Sequence, residues 1–382
     1  MDRCNVCDAA LGEPIFAANS PMALTSLCEL RPGQVRVWSC RDCAHLLGDA
    51  LPDTEQYYET DYRILLDHDD EDQIYEVRDE QIVYRTEHQV ATLLRKLDLR
   101  EGALLLDYGC AKASTPKRLL AHRPDLRVHL FDVSDMYAEH WNRFVAPDRQ
   151  ATHLAPPDWQ HKFDALTSFF ALEHIPDPRK TVRHVASLLS DSGVFYGIVP
   201  DAFGNVADFV VIDHVNHFTA ASLHRLLSDA GFRDIDIDAD AHRGALVFVA
   251  RMQGAATPGP DIDGTVERSL ALAAYWAQAS ERIRVAEREL PRQAIAIYGS
   301  GFYGAFIFST LQAPEQVSCF LDRSPFQQGK TLFGTPILAP DQMPTGINTL
   351  FVGLNPAIAR QTMAQTTWPQ GLHPSLIFLD GA

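Results

Sequence analysis

From Ala103 onward, apolar runs alternate with helical patterns: ALLLDYG, STPKRLLAHR, RVHLFDV, MYAEHWNRF, FDALTSFFALEH, RKTVRHVASLLS, GVFYGIVP. A strand that is apolar along its whole length must be buried on both faces. Helices between successive strands supply the two covers, so this stretch predicts a doubly wound parallel sheet. A helix over ASLHRLLSDAGF is closed by Gly231, and DIDID with GALVFVAR suits a closing antiparallel pair. Before the sheet, TEHQVATLLRKLDLREG spaces Val90, Leu93, Leu94 and Leu97 at helical intervals up to Gly102. A Gly-, Pro- and Ala-rich linker follows the sheet at residues 253 to 264, then a long helical stretch from about Thr265 to Leu290. The alternation then restarts in AIAIYGSGFYG, SCFLD and TLFVGLNPAIA as a second, smaller doubly wound unit. A chain of 382 residues exceeds what one core usually serves. The expected organisation is residues 1–75, an N-terminal module with its connecting segment; 76–253, an α/β core; 254–290, linker and helix; and 291–382, the second unit.

The N-terminal stretch holds too little apolar surface to fold unaided. It carries Cys4/Cys7 and Cys40/Cys43, two Cys-x-x-Cys pairs among seven cysteines. In a chain read as cytoplasmic, because MDRCNVCDAA lacks an apolar leader, that pattern indicates metal before disulfide. Four thiolates from two knuckles suit structural zinc and leave no open position for chemistry. Cys28, Cys110 and Cys319 read as single small residues. The formal charge is -17, from 33 basic and 50 acidic side chains. That argues against nucleic acid and anionic membranes as partners, both of which need clustered basic groups. No apolar run is long enough to span a bilayer.

Within the core the first strand ends in Asp107-Tyr108-Gly109-Cys110-Ala111-Lys112-Ala113, and the second in Phe131-Asp132-Val133-Ser134. A glycine turn lets backbone approach a ligand, and an acid one βαβ unit further on suits ribose hydroxyls. The third strand leaves through Phe170-Ala171-Leu172-Glu173-His174-Ile175-Pro176-Asp177-Pro178. Together with RKTVRHVASLLSDSGVFYGIVP and HFTAASLHRLLSDAGF, these segments resemble class I S-adenosylmethionine-dependent methyltransferases. The resemblance implies that Asp107, Tyr108, Gly109, Cys110, Asp132, Val133 and Phe170 surround the cofactor. Alanine stands at 111 and 113, where such enzymes usually carry glycine; a methyl is accommodated there if φ is negative.

Between the fourth strand and the following helix lies Val211-Ile212-Asp213-His214-Val215-Asn216-His217-Phe218-Thr219. Asp213, His214 and His217 are candidates for proton abstraction near neutral pH. The order of parts is similar to that of the sugar C-methyltransferase family, which acts on nucleotide-linked keto-deoxysugars: a Cys-x-x-Cys zinc module, a methyltransferase core and a second Rossmann-like domain. By that likeness His214 is general base, His174 an acid or orienting group, Asp213 their acidic partner, and His217 and Tyr62 contribute to substrate binding. Val211 stands where the family has tyrosine, which leaves C- and O-methylation both open. The acceptor implied is a small-molecule sugar nucleotide or glycan.

In the last unit Gly299-x-Gly301-x-x-Gly304 follows a strand, and Asp322 ends the next one. Read from residues alone this is a dinucleotide fingerprint, so an NAD-dependent oxidoreductase or epimerase is one alternative. The resemblance instead makes these residues a holder for the substrate's nucleotide. A non-catalytic methyltransferase-like scaffold is the other alternative.

Overall fold

The computed structural model of the protein describes residues 2–51, 72–78, 81–290 and 295–381. Compactness groups the chain into two units interleaved in sequence: Met1–Gly12, Ser39–Asp208 and His214–Val266 form one, and Glu13–Trp38, Phe209–Asp213 and Glu267–Ala382 the other. This grouping cuts across the linear segments expected from sequence. Residues 13–38 are strand-like but too few to bury their own apolar side chains, and they pack within the second unit.

The first unit is built on a seven-stranded sheet. Helix α1 (Arg85–Lys96) precedes β1 (Leu104–Tyr108), followed by α2 (Ser114–His122), β2 (Arg127–Asp132), β3 (Gln150–Thr152) and β4 (Phe163–Phe169). Then come α3 (Pro178–Leu188), β5 (Leu189–Pro200), α4 (Ala220–Asp229), β6 (Asp234–His242) and β7 (Ala245–Arg251). The strand order is β3-β2-β1-β4-β5-β7-β6. The first five strands are parallel, and β7 pairs antiparallel with both β5 and β6. The expected parallel core and its closing antiparallel pair are both present. Because side chains alternate along a strand, Leu105, Val128, Leu130, Tyr196 and Val247 face one cover with Leu93 and Leu119. Leu106, Phe131, Leu166, Phe195 and Phe248 face the other, with α3 and α4. Helix α3 opens on Asp177, whose carboxylate accepts from Lys180 N at 3.0 Å, with Pro178 in the first turn. It buries Val182, Val185 and Leu188 completely, each contributing roughly 1.5–3 kcal/mol. Helix α4 opens on a reciprocal cap: Ser222 N donates to Thr219 Oγ1 at 3.1 Å and Thr219 N to Ser222 Oγ at 3.0 Å.

In the second unit, α5 (Ile262–Glu289) precedes β8 (Ile295–Tyr298), α6 (Phe302–Thr310), β9 (Val317–Leu321), β10 (Thr335–Leu338), β11 (Thr349–Val352), α7 (Pro356–Ala364) and β12 (Ser375–Phe378). The residues of α5 from Glu267 belong to this unit. The sheet runs β10-β9-β8-β11-β12, all parallel, with Thr331–Leu332 antiparallel on its β10 edge. Trp276 of α5 is fully buried, 4.5 Å from the Phe306 ring. From the N-terminal stretch, Phe16 and Ala17 pair antiparallel with Val37 and Arg36, and the Phe16 ring packs edge-on against Phe209 at 5.5 Å. Among the described residues no helix is long and apolar enough to cross a membrane.

Candidate active site

In the first sheet, chain direction reverses between β1, which leads outward to β2 and β3, and β4, which leads to β5. In open α/β sheets the crevice beyond the strand ends at such a switch is where ligands bind. Asp107, the next-to-last residue of β1, is 2% exposed and accepts from Thr167 Oγ1 at 2.6 Å. Burial, opposed by that hydrogen bond and reinforced by Asp132, pushes its carboxyl up to about 7. Gly109 follows with φ +75°, where an added Cβ would sit 2.8 Å from the Ala171 methyl. Only glycine fits both the conformation and the gap. Gly109 N and Cys110 N donate to Phe131 O at 2.9 and 3.1 Å. Asp132 at the end of β2 accepts from Ala111 N at 2.8 Å and Ser134 N at 3.1 Å, and burial raises its pKa.

Ala111 and Ala113 both have positive φ, +45° and +55°. The condition under which a methyl is easily accommodated is therefore not met: the loop keeps a left-handed path at both positions although each carries a methyl. Phe170, leaving β4, is also left-handed at φ +54°, with the Arg85 guanidinium 4.0 Å above its ring. Val133 is 56% exposed beside Asp132. Tyr108 instead turns into the core, its ring 4.6 Å from Phe131 and its hydroxyl 3.3 Å from His184 Nδ1. Cys110 is buried on the opposite face. Asp107, Gly109, Asp132, Val133 and Phe170 therefore gather at the strand ends, whereas the side chains of Tyr108 and Cys110 serve packing.

The histidines converge on an acid that sequence reasoning did not single out. Asp208, fully buried, meets His214 Nδ1 with one carboxylate oxygen at 2.5 Å and His217 Nδ1 with the other at 2.9 Å. Burial alone would raise its pKa, but the two imidazoles outweigh it and hold Asp208 well below the usual carboxylate range. Asp213, adjacent to His214 in sequence, points elsewhere: its two oxygens accept from Ser26 N and Ser26 Oγ, each at 2.7 Å. The His174 and His214 rings lie edge to face with centroids 4.6 Å apart. Glu173, next to His174, is 1% exposed, and burial pushes its carboxyl up to about 8. The side-chain ligand atoms of Glu173, His174 and His214 all lie within 4.8 Å of one another. Asp208 was detectable only as an acid six residues before a histidine, a spacing that marks nothing without knowledge of the turn between them.

Asn216 holds this turn in place. Its Nδ2 donates to Leu172 O at 2.8 Å and Ile175 O at 2.7 Å, while its Oδ1 accepts from Asn5 Nδ2 at 2.7 Å and lies 3.2 Å from His45 Nε2. Burial drives His45 down to about 3, so its ring is neutral and Nε2 is the donor to Asn216. Asn5 and His45 flank the cysteine knuckles. Cys4 and Cys43 Sγ are 3.7 Å apart, Cys7 and Cys40 Sγ 3.4 Å, and none forms a disulfide. Neighbouring thiols, chiefly Cys4, hold Cys40 below and Cys43 above the ordinary thiol value. Four sulfurs at these separations match the edges of a tetrahedron around an ion bound at about 2.3 Å, so this group fits zinc.

In the second unit Gly299, Gly301 and Gly304 form the turn after β8. A Cβ on Gly304 would lie 1.9 Å from Gly299 O, so helix α6 can approach the strand only without one. Asp322 accepts from Ser300 N at 2.8 Å, Ser300 Oγ at 2.6 Å and Ser324 N at 2.9 Å. Tyr62 lies outside the described residues.

Residues 79–237 match the family model described as a methyltransferase domain. This part of the chain is a methyltransferase domain. Ubiquinone biosynthesis O-methyltransferases of Coxiella burnetii strains are 28% identical to this chain over 101 residues, covering 25% of this chain and 43% of theirs. The chain thus spans less than half the length of these curated relatives. Among solved structures, the Burkholderia thailandensis 1,6-didemethyltoxoflavin-N1-methyltransferase with its substrate and S-adenosylhomocysteine is 22% identical at a TM-score of 0.34, covering 44% of this chain and 78% of that one. Human N-acetylserotonin methyltransferase in complex with SAM is 16% identical at a TM-score of 0.37, covering 44% and 54%.

Proposed function

We propose that the protein transfers a methyl group from S-adenosylmethionine to a hydroxyl or acidic carbon of a sugar, nucleotide-activated or glycan-linked, with His214 as general base. The observation that carries this reading is Asp208 bridging His214 and His217 at the exit of the methyltransferase sheet. With its Nδ1–H donated to Asp208, His214 carries its lone pair on Nε2, the tautomer a base requires. The imidazolium that forms is stabilised by the same carboxylate, as in other acid-oriented histidines. The cofactor, when bound, supplies an electrophilic methyl. The chain's own part is to hold ribose on Asp132, to cradle the remainder at Gly109 and Asp107, and to aim the acceptor. His174, edge-on to His214, orients the acceptor, and Asp213 acts from a distance through the loop it anchors on Ser26. The curated relatives are named as O-methyltransferases, which favours an oxygen acceptor. Zinc on Cys4, Cys7, Cys40 and Cys43 is structural in this reading, and Gly299, Gly301, Gly304 and Asp322 hold the substrate's nucleotide.

The test is calorimetry with S-adenosylhomocysteine, followed by transfer of labelled methyl to a panel of nucleotide sugars by wild type and His214→Ala. Binding with transfer that His214→Ala abolishes supports the reading. Absence of cofactor binding, or a rise in melting temperature only with NAD or NADP, overturns it.

A further inference from the structure

Glu173 takes no part in the mechanism above, yet it is a buried acid with one carboxyl oxygen unanswered. Its carboxyl is 1% exposed, and Oε2 has no hydrogen-bond partner among the described residues. Burying an acid in this way is unfavourable unless something satisfies it. The groups nearest to answering that need are two imidazoles. We infer that Glu173, His174 and His214 form a binding site for a divalent first-row transition-metal ion, separate from the four cysteines.

Three independent observations meet here. The donor atoms already lie within 4.8 Å of one another, and small side-chain rotations bring them to the separation that bonds of about 2.0–2.2 Å require. The donor set, two imidazole nitrogens and one carboxylate oxygen, suits manganese, iron, cobalt or zinc rather than calcium or an alkali ion. The outer sphere is present as well: Asp208 holds His214 Nδ1 at 2.5 Å, which fixes the tautomer and directs the Nε2 lone pair outward, the usual device behind a metal-bound histidine. The turn carrying Glu173 and His174 is clamped at Leu172 O and Ile175 O by Asn216, so two of the three ligands are preorganised. Three protein ligands leave open positions. The ion and an acceptor's proton compete for the same His214 lone pair.

The thiolate site would confuse a zinc titration, so the probe is Mn²⁺, which thiolates bind poorly. Protein with one equivalent of zinc already loaded is titrated with Mn²⁺ while free Mn²⁺ is followed by electron paramagnetic resonance. The expected result is one bound Mn²⁺ per chain, with pulsed spectra showing coupling to two imidazole nitrogens. Glu173→Gln, which keeps the side chain's shape, is expected to weaken binding at least tenfold, as is His174→Gln. Lack of bound Mn²⁺ at millimolar concentration, bound Mn²⁺ without nitrogen coupling, or unchanged affinity in Glu173→Gln overturns the site. Calorimetry with S-adenosylhomocysteine on the same sample keeps the two readings apart. Cofactor binding without Mn²⁺ overturns only the metal site, and Mn²⁺ binding without the cofactor overturns only the methyl-transfer reading.

Discussion

Asp208 and Asp107 are both buried carboxylates, and their neighbours drive them in opposite directions. Asp208 faces two imidazoles, so Asp208→Asn is expected to lower kcat by about 10- to 100-fold, while His214→Ala costs about 10²–10⁴-fold, the range of a general base. Both should leave the S-adenosylhomocysteine dissociation constant unchanged, because the proposed cofactor cradle is built on Asp107, Gly109 and Asp132 rather than on these side chains. Asp107 is buried beside Thr167 and the acidic Asp132, and burial lifts its folded pKa to about 7, above the ordinary 3.8. Between those values the unfolded chain has released a proton that the native state retains, so this group's contribution to stability falls as pH rises from about 4 to 7. Asp107→Asn should therefore gain stability relative to wild type across that window, at up to about 1.4 kcal/mol per pH unit. Urea denaturation of the cofactor-free proteins at pH 5 and pH 8 measures the difference. A gap that stays constant with pH would show that Asp107 is ionised throughout.

The turn from β1 to α2 tests how far a glycine pattern can be replaced. At Ala113 the left-handed conformation costs about 1–2 kcal/mol, whereas glycine would cost about 0.5–1 kcal/mol in unfolded-state entropy and would lose a buried methyl worth about 0.8 kcal/mol. These nearly cancel, so Ala113→Gly is expected to change stability by less than about 1 kcal/mol. Ala113→Val, β-branched in the same conformation, should cost more than about 2 kcal/mol by thermal melting. Asn5, His45 and Asn216 link the cysteine knuckles by hydrogen bonds to the turn that carries Glu173 and His174. On the proposed zinc reading, treatment with a chelator, or Asn216→Ala, should lower kcat at temperatures where the circular dichroism of the sheet is unchanged. The apolar alternation revealed both sheets, since a strand buried on two faces leaves a continuous signature. Asp107, Gly109 and Asp132 were legible because a strand-turn-helix places them by local spacing alone. Asp208 and Asn216 were not, because their partners are set by the path of a loop rather than by periodicity. Ala111 and Ala113 were legible as positions but not in conformation, because spacing alone carries no sign of φ.

Across the whole molecule the same construction appears twice. Gly109 N donates to Phe131 O, and Gly299 N to Leu321 O. Asp132 accepts from Ala111 N and Ser134 N, Asp322 from Ser300 N and Ser324 N. The two units differ in how the chain supplies them. Glu13–Trp38 and Phe209–Asp213 complete the second unit, so a chain stopped after Val266 would leave Met22–Leu24 without helix α6, against which it packs. Such a truncation is expected to bind a hydrophobic dye strongly and to aggregate; a monomeric, dye-silent product would show that these segments are dispensable. The interleaving also sets a schedule for synthesis. Residues 13–38 leave the ribosome early, but the strands and helices of their unit emerge last. At about 5–20 residues per second, an apolar segment stays without its partners for roughly 15–70 s. During that interval its protection falls to chaperones, which makes yield in the cell sensitive to translation speed over the last third of the message.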